Sequence, residues 1–393
     1  MTSPTHQLAS ALDIDGRLTE IERSLNLLLN VTPVNAAEAW ADFERSDFGT
    51  VPTLRLRPLE FEPDLVRRDL YNLEIENVTD PALHALFRAK RDEIARQITA
   101  LEDRDTSRFV YGSLQLYGGI AQPLASAAEE LLGTIPAQAP SSRSVTAGAF
   151  AEAARAEFDR YRAVYRDFPV HIEVRDDISE LMVSFGRLLI PEAAAFRADR
   201  VEPLLHHEVG THVVTYQNGA RQPLRLLTIG LPGYDETQEG LAVLAEYLTG
   251  GLDPRRLRVL AARVVAIGKM LDGAGFLEIF ESLRAEHRIP ARTAWSIAIR
   301  VVVAGGSVKD AIYLRGITRI LEALAEGNSL DVLFVGKLAL DHIPLIQDLL
   351  DREVLQAPWV RPRWLDVPGA QERLDKLRAG ASVLDLYEGD VSA

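Results

Sequence analysis

Three of the chain's 8 histidines stand within seven positions, at His206, His207 and His212. His207-Glu208-Val209-Gly210-Thr211-His212 is an HExxxH, and imidazoles so spaced point to a metal ion. In the commoner HExxH, four positions turn an α-helix by about 400°, so both rings lie roughly 40° apart. Here five positions turn about 500° and leave the rings roughly 140° apart, too divergent to hold one ion. One extra residue accommodated as a π-bulge removes the discrepancy. Gly210 is the residue least opposed to that distortion, so the spacing predicts a bulge over residues 209–211.

Two imidazoles are too few for a catalytic zinc, which takes about three protein ligands plus water. With no cysteine in the chain, the third must be a histidine or a carboxylate. The segment GYDETQEGLAVLAEYLTG, residues 233–250, offers Glu239, flanked by small residues that let an ion or a backbone approach. Glu236 and Glu246 are the alternatives, and either can instead serve as an outer hydrogen-bond partner of the histidines. His206 faces another side of the helix and reads as structural. Tyr216 either lines the site or packs.

Helices must carry both motifs. Asp199 with Glu202 reads as a capping box for the first, and Asn218-Gly219 as its stop. Asp235 with Gln238 reads as the cap of the second. Ahead of them, Val170, Ile172 and Val174 alternate with polar residues as a strand does. Residues 181–190 read as another strand, interrupted at Gly186 and ended by Pro191. Apolar spacings of three and four predict helices around Leu18 to Leu28, over residues 81–102 and over 147–165. Residues 254–263, rich in arginine, read as a solvated helix face. The fold class expected is α+β: mostly helical and zincin-like, with a small antiparallel sheet beside the active-site helix. A Pro/Ser/Ala-rich stretch at 136–144 suggests a helical N-terminal region, 1–140, and a catalytic domain, 141–393.

Composition narrows the function. The chain has 393 residues, 47% of them hydrophobic and 25% charged, which are ordinary globular values. Its net charge of −14 repels phosphate backbones, so nucleic acid is not the expected partner. No apolar run approaches the roughly 20 residues of a membrane helix, and the N-terminus has no secretory pattern. No membrane partner and a cytoplasmic location are the expectations.

HEVGTH at 207–212 followed by QEGLA at 238–242 resembles the flavohemoglobin expression-modulating QEGLA motif proteins. These are similar to the microtubule-associated tyrosine carboxypeptidases of animals. The likeness extends from about Asp80 onward and includes SLQLYGG at 113–119 and KDAIYLRG at 309–316. The resemblance implies a gluzincin-like zinc metallopeptidase with Zn2+ held by His207, His212 and Glu239, and with Glu208 as general base toward zinc-activated water. The substrate implied is a peptide or protein C-terminus, losing a tyrosine or another bulky residue. A terminal carboxylate is best held by Arg or Lys, which Arg300, Lys309 and Arg315 provide, with Tyr313 as a donor to the tetrahedral intermediate. Gly305-Gly306 allows a flexible loop there. Two other readings stay open: a metal-binding regulatory protein with little peptidase activity, and a metal-dependent amidase on a non-peptide substrate.

Overall fold

The computed structural model describes residues 4–138, 143–178 and 180–387, with side chains from residue 9 onward. Two compact units emerge. One joins Met1–Ala137 to Arg255–Leu314, and the other joins Gln138–Pro254 to Arg315–Ala393. The first therefore takes in residues 255–314. Part of the expected linker, residues 139–142, lies outside the described residues.

The first unit is helical. It opens on helix Pro4–Leu25. Helix Pro81–Asp103 follows its sequence signals closely. Asp80 accepts from the Ala82 and Leu83 amides, Pro81 opens the first turn, and Leu83, Leu86, Ile94 and Ile98 are buried. Residues 255–314 join this unit through aromatic packing. Phe43 meets Phe276 and Phe280 edge-on at 5.2 and 4.8 Å, and Trp40 meets Trp295 at 5.4 Å. The arginines of helix Pro254–Leu271 are not all solvated, contrary to expectation. Arg258 is buried because its guanidinium caps the Leu132, Ile135 and His287 carbonyls.

The second unit is α+β. Strands β1 (Ser144–Thr146) and β5 (Ala195–Arg197) pair antiparallel. Strands β2 (Ile172–Arg175), β3 (Met182–Ser184) and β4 (Arg187–Pro191) form a second sheet in the order β2-β4-β3. There β3 and β4 are antiparallel while β2 runs parallel to β4, so this sheet is mixed. The expected strand over 181–190 is a hairpin. Phe185 (φ 47°) and Gly186 (φ 73°) form its two-residue turn, both in the left-handed region that a type I′ turn needs. Gly186 is required twice over, since a Cβ there would lie 2.4 Å from the Tyr216 ring.

The core of this unit anchors the motif helix. Leu205, Val209, Val213 and Val214 pack with Phe150, Phe158, Tyr161, Leu188 and Ile190. Each such aliphatic side chain contributes about 1.5–3 kcal/mol over exposure, enough to hold one face of the helix rigidly. Among the described residues, no helix is long and apolar enough to cross a membrane.

Candidate metal centre

The motif helix changes its winding where the spacing demanded it. Val201–His207 is α-helical, Glu208–Val213 is π-helical, and Val214–Ala220 is α-helical again. The wider turn absorbs the extra residue and brings His207 and His212 together, their ring centroids 5.2 Å apart. Its predicted cap does not form. The helix begins at Val201 after Arg200, and Asp199 instead binds Arg197. Asn218 and Gly219 lie within its last turn. A Cβ on Gly219 would lie 2.2 Å from the Leu227 carbonyl oxygen, so glycine serves close packing there.

Glu239 comes from helix Tyr234–Leu248. Gly233 (φ 71°) precedes this helix, and the expected Asp235–Gln238 cap is absent because Gln238 is buried and accepts from Thr215 at 2.7 Å. A Cβ on Gly240 would lie 2.4 Å from the Gly316 carbonyl carbon. The small residue beside Glu239 thus admits a neighbouring backbone and draws the helix inward.

His207, His212 and Glu239 present ligand atoms all within 4.8 Å of one another. Glu239 Oε2 lies 3.5 Å from His207 Nε2 and 3.7 Å from His212 Nε2. That oxygen is buried with no hydrogen-bond partner. Glu208 is buried beside them, its Oε1 4.0 Å from His207 Nε2. Glu246 accepts from His207 Nδ1 at 2.8 Å, and Arg200 donates to Glu246 and to the Gly251 carbonyl, both at 2.5 Å. The Nδ1 proton is thereby fixed and Nε2 faces Glu239. Of the sequence alternatives, Glu246 takes the outer role. Glu236 turns away to Arg315 and Arg319.

The electrostatics fit a divalent cation. Glu208, Glu239, Glu246 and Arg200 are buried or nearly so, and with neutral imidazoles they leave an excess of two negative charges. Protons take up that excess when nothing else does. Burial resists charge on His207, but the Glu239 and Glu246 carboxylates overcome it and lift the imidazole to about 9. Burial pushes the Glu208 carboxyl up against the pull of both histidines. Burial acts the same way on Glu239, yet His212 and His207 outweigh it and draw the group well below the usual carboxylate range. His206 lies outside the triad, and burial lowers its proton affinity. The ring of Tyr216 packs at the hairpin turn beside Gly186.

The expected substrate residues have local partners. Arg315, in the unit of the triad, is ion-paired with Glu236, one helical turn before Glu239. Arg300, Lys309 and Tyr313 belong to the other unit. Arg300 binds Asp310 through two hydrogen bonds at 2.6 and 2.7 Å. The Lys309 ammonium sits 5.2 Å from the Tyr117 ring, and Arg263 lies over Tyr313 at 4.8 Å. Sequence reasoning overlooked Arg200, whose only signal is a charge that becomes buried.

Comparison with curated proteins found no match. A family model described as microtubule-associated tyrosine carboxypeptidase matches residues 41–382, which include the HExxxH helix and the Glu239 helix. The resemblance read from the motifs thus holds over most of the chain, which belongs to the microtubule-associated tyrosine carboxypeptidase family.

Proposed function

We propose that the chain is a zinc-dependent carboxypeptidase that removes C-terminal residues from peptides or proteins. The observation that carries this reading is the meeting of His207, His212 and Glu239 within 4.8 Å beside the buried carboxyl of Glu208. Two imidazoles and one carboxylate are a donor set suited to zinc, with room left for water. Held by His207, His212 and Glu239, a cation of this kind would supply water activation and polarisation of the scissile carbonyl. Glu208 takes the proton from the attacking water and passes it to the leaving nitrogen. Glu246 keeps the proton of His207 on Nδ1, and Arg200 keeps Glu246 in place.

We assign the substrate's terminal carboxylate to Arg315, held near the Glu239 helix by Glu236. The substrate roles of Lys309, Arg300 and Tyr313 rest on residue type. For Arg315→Ala and Lys309→Ala, a KM raised about tenfold or more with kcat little changed supports these assignments. An unchanged KM removes them.

The test of the reading is mass spectrometry of a peptide library incubated with zinc-loaded wild type and with Glu208→Gln. Wild type should release single C-terminal residues. The variant should keep its metal and lose about 10²- to 10⁴-fold in rate. Internal cleavage would keep the hydrolytic site but discard the carboxypeptidase assignment. Turnover preserved in Glu208→Gln would discard the general base.

A further inference from the structure

The π-helical stretch brings the two histidines together, but a π-turn is costly to hold. It fits one more residue into the turn, and a carbonyl that loses its regular intrahelical partner must be satisfied from elsewhere when buried. Gly210 lies in the middle of the stretch and is buried. Its carbonyl accepts a hydrogen bond from the Trp364 indole Nε1 at 3.1 Å, across 154 positions of sequence. Trp364 is fully buried. Its ring leaves no room for a side chain at Gly210, where a Cβ would lie 2.8 Å from Trp364 Cδ1.

The segment bearing Trp364 is itself pinned to the motif helix and its neighbours. The Asn218 amide donates to the Val360 carbonyl and accepts from the Val360 amide, both at 2.8 Å. The Arg363 amide donates to the Tyr161 hydroxyl at 3.0 Å, and its guanidinium binds the buried Glu157. Phe334 packs edge-on against the indole at 5.7 Å. The indole therefore cannot retreat without breaking several contacts.

We propose that Trp364 is a positioning residue for the metal centre. Its indole N–H and ring hold the extra residue of the helix in its bulge and so set the convergence of His207 and His212. The proposal rests on reading the triad as a metal site. It also explains the glycine differently from backbone freedom alone: position 210 is small because the clamp occupies its side-chain space.

The test uses the full-length chain and its Trp364→Phe, Gly210→Ala and double variants. Trp364→Phe keeps an aromatic ring and deletes the N–H. Zn2+ affinity, measured by chelator competition, should fall about tenfold or more, the scale of losing an outer partner of a metal ligand. In metal-free protein, amide hydrogen exchange over 208–213 should rise while exchange in helix Pro81–Asp103 stays unchanged. Gly210→Ala should act similarly in wild type and cost much less in the Trp364→Phe background, where the smaller ring makes room. If the tryptophan were purely stabilising, Trp364→Phe would lower the melting temperature without this coupling in affinity, and that result would also overturn the proposal. Wild-type affinity and exchange in Trp364→Phe, or additive effects in the double variant, would overturn the proposal. If wild type binds no Zn2+ at all, the metal reading fails, and the exchange measurement still decides whether the indole holds the bulge.

Discussion

Each unit buries a cluster of charges, and the two clusters differ in how they are closed. In the first unit, Lys90 is fully buried between Glu22 and Glu93, with Gln97 donating to Glu22 at 3.3 Å. The carboxylates raise Lys90 against the burial that resists its charge, and burial lifts Glu22 to about 7 against the pull of Lys90. One cation and two acids come close to neutrality once Glu22 is protonated. In the second unit, Glu208, Glu239 and Glu246 face one arginine and two imidazoles, and Glu239 Oε2 has no hydrogen-bond partner. In the first cluster the Lys90 ammonium sits directly against both carboxylates. The second brings its ligand atoms within 4.8 Å of one another and has a negative excess that a divalent cation would cancel. Buried charge alone therefore does not mark a candidate site; convergence of metal-ligating atoms without a cationic side chain between them does.

The largest effect that separates the clusters is on metal binding. Glu239→Ala removes the proposed third ligand and should weaken Zn2+ binding by more than the 10- to 100-fold typical of losing an outer partner. Metal content by mass spectrometry after dialysis is the readout. Wild-type content in that variant would place the third ligand elsewhere. It would also erase the contrast, because the oxygen would then be only a badly buried acid.

Lys90→Met attacks the closed cluster. It leaves two acids buried without a cation, which should destabilise the fold by about 3–5 kcal/mol. Urea denaturation measures that loss, and added Zn2+ checks the separation of roles. Zinc should raise the melting temperature of this variant by the same increment as in wild type, because a ligand of the native state stabilises through its own affinity. A lost zinc increment would mean that the two clusters are coupled and that the comparison is wrong.

Most of the second cluster was legible because it is local. The HExxxH spacing demanded a bulge, and the π-turn occupies Glu208–Val213. Glu239 stood out as an acid beside a glycine, and Gly240 indeed meets another backbone. Helix Pro81–Asp103 was equally plain, since cap, proline and apolar period agree. What escaped depends on distant partners. Trp364 reaches Gly210 across 154 positions, and no local pattern announces an indole donor. The Asp199–Glu202 cap was a reasonable reading that Arg197 defeated by taking Asp199 for itself. The parallel pairing of β2 with β4 was invisible because alternation marks a strand but not its neighbour's direction. The Lys90 cluster was not anticipated either, since a lysine on a helix is expected to reach water.

The smallest effect, and the finest probe of the closed cluster, is its pH dependence. Glu22 ionises at about 7 in the folded chain against an ordinary 4.5. Between those values the folded protein holds a proton that the unfolded chain has released. The resulting stability is present in full below the unfolded value and is lost as pH rises through the folded one. Glu22→Gln cannot titrate, so its stability should not share this decline. Relative to wild type, the variant should gain about 1–2 kcal/mol between pH 5 and pH 8, less than the full shift implies because Lys90 and Glu93 readjust. Urea denaturation of both proteins at the two pH values is sufficient, and groups common to both cancel in the difference. A difference that stays constant with pH would mean that Lys90 keeps Glu22 ionised throughout. The cluster would then carry an uncompensated negative charge like that around His207, His212 and Glu239, and charge excess would no longer distinguish a candidate site from a staple.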